Sequence, residues 1–315
     1  MPGAANKGWT YADQVPGEAA GQAVLEFYAG RYPHSTREEW RARIAAGLVR
    51  LDGLPARAEQ ALRPGQQLEY RRPPWREPEA PLTLEVLHED ADLVAVAKPS
   101  GLPVLPGGGY LEHTLLALVR RRYRDRPAPV HRLGRATSGV VLFARSTRAR
   151  RWLSAALEEG RARKRYRALV QGSDLPAEFE VTVPIGRVPY GPLGQVHAAA
   201  PGGRPSRSRV RVLERRPMAP APCALVEVEI PTGRPHQIRI HLAAAGHPLV
   251  GDPLYAPGGG PLAPPAAGRP PLPGDGGYLL HALAVTFAHP DDLRQMTIYC
   301  RPPPALETRS EGEDR

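Results

Sequence analysis

The stretch PVHRLGRATSGVVLFARS, Pro129 to Ser146, gathers a histidine, arginines and paired hydroxyls around Gly134, and it holds no carboxylate. It can bind an anion, but at its centre glycine offers no group to take a proton or form a bond. Metal chemistry is a poor match to the histidines. His236 and His241 are five residues apart, the wrong spacing for two ligands on one helix face, and no carboxylate cluster accompanies them or His131. Packing and hydrogen bonding are the expected roles. Cys223 and Cys300 lie far apart without metal-ligand spacing. The PGGG segments at Pro106 and Pro257 lack the lysine and hydroxyl of a phosphate loop. A metal is not expected.

Charge points to the partner. The chain of 315 residues carries a net charge of +10 and a pI of about 10.0, which makes nucleic acid the first candidate. Of 42 basic residues only Lys7, Lys98 and Lys164 are lysines. With 38 prolines and 32 glycines, this suggests a GC-rich genome, so codon bias accounts for part of the arginine excess. No apolar run reaches the roughly 18 residues of a membrane span. The N-terminus has no apolar stretch after a basic start, so no secretory signal is read there. A reducing cytoplasm and a monomer are the simple expectations. A DNA-binding role lacks a recognition-helix or zinc pattern.

The elements that must position these residues follow from periodicity. Residues 1–20 are small and polar, and a loose tail is expected. Between 21 and 75, Ser35 or Thr36 can cap a helix from Arg37, with Glu38 and Glu39 in its first turn. Trp40, Ile44 and Leu48 recur at helical spacing. LVRLDG reads as a strand into an Asp-Gly turn and LRPGQQLEYRR as a turn into a second strand. Residues 76–81 are a proline-rich linker. Over 82–301, TLEVLHEDADLVAVAKPSG predicts two strands and HTLLALVRRRY a helix. TRARRWLSAALEEG predicts a second helix and KRYRALVQG a strand. SRSRVRVLERR and CALVEVEIPTG predict a strand pair, and PHQIRIHLAAAG a helix. This is an α+β domain on a mixed, mostly antiparallel sheet flanked by helices. Residues 256–277, rich in glycine and proline, read as a flexible insert, and 302–315 as a disordered tail.

Four stretches in this order resemble the RluA family of RNA pseudouridine synthases: VAKPSGLPV at Val96, HRLGRATSGVVLFAR at His131, KRYRALVQG at Lys164, and PTGRPHQIRIHLAAAGHPLVGDPLY at Pro231. The resemblance spans roughly residues 82–300. Residues 21–75 resemble the small RNA-binding domain shared with a ribosomal small-subunit protein. A plant-type branch with glycine at the central motif position is also similar. The resemblance implies the pseudouridine synthase fold and a cofactor-free isomerisation of uridine in structured RNA, rRNA or tRNA. The uridine must leave its stack to be reached. It further implies that Arg132 displaces the base, Tyr166 stacks on it, and Arg239 pairs with the catalytic aspartate. Ile238 walls the pocket, and Thr137 and Ser138, with Gly139, shape the loop. Arg135 and Arg234 are carried with these as RNA contacts.

The family's aspartate falls on Gly134. Losing a covalent or acid–base partner costs orders of magnitude in rate. Asp125 and Asp252 are the substitutes to consider, and Arg239 is expected to need a new anion, water or an RNA phosphate, because an unpaired buried charge is costly. Two readings therefore stand: a synthase of doubtful activity, and a non-catalytic RNA-binding protein or RNA chaperone on the same fold.

Overall fold

A computed structural model describes residues 5–32, 35–217, 221–263, 265 and 270–313. The chain divides into two units, Met1–Glu77 and Pro78–Arg315.

In the first unit, a four-stranded antiparallel sheet runs in the order β1 (Trp9–Gln14), β4 (Gln67–Arg72), β2 (Val49–Leu51), β3 (Leu54–Pro55). Helices α1 (Val24–Arg31) and α2 (Arg37–Ala45) share its core through Phe27, Tyr28, Trp40 and Ile44. Thr36 caps α2 in a full capping box with Glu39. Asp52 and Gly53 both take positive φ in the turn after β2, as an Asp-Gly hairpin turn requires.

The loose tail expected at 1–20 is corrected. Residues 1–4 lie outside the described residues, but Trp9–Gln14 pairs along its whole length with β4. Asn6 is buried and bonds Glu77. An edge strand held by backbone bonds, with five of its six side chains exposed, has no hydrophobic alternation to reveal it.

The second unit is built on a ten-stranded sheet. Its main path runs β10 (Glu178–Val181), β13 (Ser208–Arg216), β14 (Cys223–Glu229), β9 (Arg163–Gln171), β15 (Leu280–Ala288), β8 (Ser138–Ala144), β6 (Leu93–Lys98), β5 (Glu85–Glu89). β16 (Gln295–Tyr299) joins β15 and β7 (Ala128–Pro129) joins β8. Only the β15–β8 pair is parallel, so the sheet is mixed and mostly antiparallel as expected. Helices α3 (Leu115–Arg122) and α4 (Thr147–Glu158) each bury an apolar face, Leu115, Leu118 and Val119 in the first case. β11 (Ile185–Pro189) and β12 (Gln195–Ala199) form a separate hairpin, and α5 (Gln237–Ala244) packs on β12 and β13.

Three expectations change here. Ser138 and Gly139 do not shape a turn but open strand β8. Gly139 has φ 112°, and a Cβ there would lie 2.2 Å from the Ala282 carbonyl oxygen, so the close parallel pairing excludes any side chain. The insert at 256–277 is anchored at several of its described residues. Gly258 and Gly259 exchange backbone bonds with Ala243 and Ala199, and the Pro271 carbonyl accepts from Tyr190. Positions 264 and 266–269 fall outside the described residues. The tail at 302–315 is ordered to 313. Leu306 is buried, α6 (Arg309–Glu313) follows, and Glu311 pairs with Arg167. Composition predicts these segments loose because it registers missing apolar pattern, not the carbonyls and carboxylates that bind neighbours.

Candidate active site

A pocket of about 110 Å³ opens where the loop before β8, strand β9, the start of α5 and the entry to β15 converge. Its lining includes Arg132, Gly134, Thr137, Tyr166, Arg234 and His236, and beyond them Ile238, Arg239 and Tyr278. No carboxylate is among the lining residues. The volume is below the roughly 300–1,000 Å³ of ordinary ligand sites, which suits a single base more than a whole nucleotide.

The loop 131–137 is held from behind. Lys98, at the end of β6, is 1% exposed, and its Nζ donates to the carbonyls of Pro99, Leu102 and Arg135 at 2.8, 2.6 and 2.9 Å. Burial, reinforced by the charge of Arg135, pulls this ammonium down to about 7. His131 accepts the Leu142 N–H on Nε2 at 3.1 Å, so its ring is neutral; burial and Lys164 push it down to about 4. Within the loop, Thr137 N–H donates to the Gly134 carbonyl, a tight turn. Gly134 is not among the positive-φ residues, so its backbone accepts a side chain. A Cβ there would meet the Tyr278 hydroxyl at 3.1 Å and Thr137 Oγ1 at 3.4 Å.

The opposite wall is helix α5, buried over Gln237–Ala243. Such a helix can carry polar residues only if each is satisfied. Gln237 bonds Thr232, Arg234 N and the Arg207 carbonyl. His241 bonds Ser206 and Ser208. Arg239, 2% exposed, makes a two-pronged pair with Asp252: Nε to Oδ2 and Nη2 to Oδ1, both 2.7 Å. Its Nη1 donates to the Pro273 carbonyl at 3.0 Å, and its guanidinium stacks on Tyr278 and Tyr255 at 4.3 and 4.9 Å. Burial is the largest single influence and opposes its charge, but Asp252, Tyr278 and Tyr255 together outweigh it and the net shift is upward. His236 begins the helix at φ 56°. The Tyr255 hydroxyl donates to the His197 carbonyl, so His236 Nδ1 carries the proton in its 2.7 Å bond to Tyr255; burial, then Arg239, holds the ring down at about 3.

The structure brings together Arg132, Gly134, Thr137, Tyr166, Arg234, Ile238 and Arg239. Arg132 is exposed and makes no hydrogen bond or ion pair among the described residues. Tyr166, on β9, is 9% exposed, and burial raises its phenol to about 12. Arg234 donates to the Pro205 carbonyl. Two expected contacts lie outside the lining. Arg135 turns to the Gly274 carbonyl and Asp275. Ser138 bonds His281 Nδ1 at 2.9 Å. Both are drawn away by partners that the sequence separates by more than a hundred residues. Of the partners expected for Arg239 (a new anion, water or an RNA phosphate), the structure shows the first: Asp252 is the anion. Neither substitute carboxylate reaches the lining: Asp252 is engaged by Arg239, and Asp125 pairs with Arg145 at 2.7 Å.

The family model for RNA pseudouridylate synthase matches residues 92–244. An uncharacterized RNA pseudouridine synthase of Synechocystis sp. is 46% identical over 286 residues, covering 90% of this chain and 96% of that one. This chain belongs to the RNA pseudouridine synthases of the RluA type. RNA pseudouridine synthase 5 of Arabidopsis thaliana is 40% identical, with 97% of this chain and 96% of the plant protein covered. Among solved structures, human RNA pseudouridylate synthase domain containing 1 matches with TM-score 0.57 and 25% identity, over 73% of this chain and 89% of that one. The sheet described above is thus the pseudouridine synthase fold.

Sequence reasoning missed Tyr278 and Lys98. Tyr278 follows a glycine-rich segment and no periodicity marks it. Lys98 had a signal: in a chain where arginine has replaced nearly every lysine, a retained lysine marks a place a guanidinium cannot fill. A compact ammonium meets three converging carbonyls, which a planar fork cannot. Lys164, another of the three lysines, is also buried, and burial with Arg234 lowers it to about 8.

Proposed function

We propose that this protein binds structured RNA, rRNA or tRNA, and isomerises a flipped uridine in the pocket at a rate below that of an aspartate-bearing relative. One observation carries this reading: a pocket with an aromatic wall, free cationic rim and no acid among its lining residues. Arg132, exposed and unpaired among the described residues, is placed to enter the space a flipped base leaves or to hold its phosphate. Tyr166 is the stacking face, Ile238 and Thr137 wall the base, and Arg234 adds charge at the mouth. No cofactor or metal enters this scheme, and no group of three or more metal-ligating side chains occurs among the described residues.

The first unit is the RNA-binding accessory module, adding affinity without chemistry. No helix among the described residues is long and apolar enough to cross a membrane. Both cysteines are free and buried, which fits a reducing cytoplasm.

The second reading, binding without catalysis, is favoured by Gly134 together with the closed Arg239–Asp252 pair. One experiment separates the two: mapping pseudouridine in rRNA and tRNA with and without the gene. A uridine that is modified only when the gene is present supports the enzyme. Unchanged maps with salt-dependent RNA binding support the binder. Arg132→Ala should weaken that binding while leaving stability within about 0.5 kcal/mol; a variant that binds as well as the original removes Arg132 from the site.

A further inference from the structure

Two hydroxyls, those of Tyr278 and Thr137, stand where the missing carboxylate is expected, and Tyr278 is the nearer. Tyr278 is 4% exposed and lines the pocket opposite Gly134. Its Oη lies 3.1 Å from the point a Cβ of residue 134 would occupy, which is the space an aspartate side chain would enter. Among the described residues the phenol has one hydrogen-bonding neighbour, Thr137 Oγ1 at a long 3.5 Å, so it is not committed to a strong hydrogen bond. The hydroxyl of Tyr255, on the same guanidinium, is occupied by His197 and His236. The Arg239 guanidinium lies 4.3 Å from the Tyr278 ring centre and holds the ring in place. Asp252 lies behind Arg239, and Arg132 and His236 complete the charged and titratable surroundings.

We infer that the Tyr278 hydroxyl takes the place of the family aspartate as the group that engages the ribose of the bound uridine. This rests on the uridine-isomerising reading above. Tyrosine nucleophiles are a known alternative to carboxylates in glycosidic chemistry. In the first step Oη bonds C1′ as the C1′–N1 bond breaks, and the phenolic proton passes to the departing uracil, which leaves neutral. The base turns. C5 then bonds C1′ as the C1′–Oη bond breaks, and the C5 proton returns to the phenolate. Nothing is oxidised or reduced, no co-reactant is consumed, and the tyrosine is regenerated. Gly134 then has a reason to be glycine: any side chain there crowds the hydroxyl.

The test compares the original protein, Tyr278→Phe and Gly134→Asp/Tyr278→Phe for the initial rate of pseudouridine formation in total RNA from a strain lacking the gene. Affinity for that RNA and thermal midpoint are measured alongside. Phenylalanine keeps the ring on Arg239, so folding and binding should stay within about twofold while the rate falls by about 100-fold or more. The double variant, with a carboxylate and no hydroxyl, should regain the rate. An original protein that works equally well with phenylalanine overturns the inference and leaves the enzyme reading intact. An original protein that binds this RNA and forms no pseudouridine overturns both.

Discussion

Arg239 and Lys98 are both buried cations on opposite sides of the pocket, and burial penalises the charge of each. Arg239, on α5, meets a carboxylate in a two-pronged pair, and its charge is held above the ordinary range. Lys98, behind the loop that carries Gly134, meets only carbonyls, and its ammonium is pulled down to about 7. The helix wall is therefore a closed electrostatic unit. The loop wall is shaped by hydrogen bonds and has no anion of its own. The difference shows that Arg239 does not depend on residue 134 for an anion, because Asp252 arrives from beyond the helix to bind it.

Breaking the helix wall should have the largest effect. Asp252→Ala leaves Arg239 buried without its partner and also removes the acceptor for the Leu254 and Tyr255 N–H groups. A loss of about 3–5 kcal/mol in urea unfolding is expected. A loss under about 1 kcal/mol would mean that water or Tyr278 serves the guanidinium instead.

Supplying the loop wall with an anion comes next. Gly134→Asp should raise the rate of pseudouridine formation by about 100-fold, because the backbone at 134 accepts a side chain. The gain depends on Tyr278 yielding a few tenths of an ångström, since a new Cβ would stand 3.1 Å from its hydroxyl. A folded variant with no gain in rate would show that the pocket is no longer shaped for a carboxylate.

A further difference lies in the pH dependence of stability. The Lys98 pKa falls from its ordinary 10.5 to about 7 on folding, so between these values the unfolded chain holds more protons. Stability therefore rises with pH through that window, and the penalty of the buried charge is fully present below about 7. Lys98→Met removes this contribution. The difference in unfolding free energy between original and variant should shift in favour of the original from pH about 7 to about 9.5, below the ordinary tyrosine range. A pH-independent difference would mean that the three carbonyls keep the ammonium charged throughout.

Much of this molecule is legible from local pattern. The helices at Arg37, Leu115, Thr147 and Gln237 announce themselves by caps, period and closing glycines, and the strands of KRYRALVQG and CALVEVE by alternation. Those signals are local, because a cap or an alternating face is decided within one turn or one strand. The motif residues Arg132, Gly134, Tyr166 and Arg239 are also readable, and they do line one pocket. What surrounds them was not. Asp252 stands 13 residues from Arg239, and Tyr278 stands 144 residues from Gly134. No period or spacing links such pairs. Only the parallel entry of β15 beside β8 brings Tyr278 to the glycine, and it does so because Gly139 lets the two backbones close. The sequence by itself determined that the central motif carries glycine at 134 and no carboxylate. The tertiary structure decided which anion holds Arg239 and which hydroxyl stands in the gap, because both depend on chain segments that meet only when the sheet is complete.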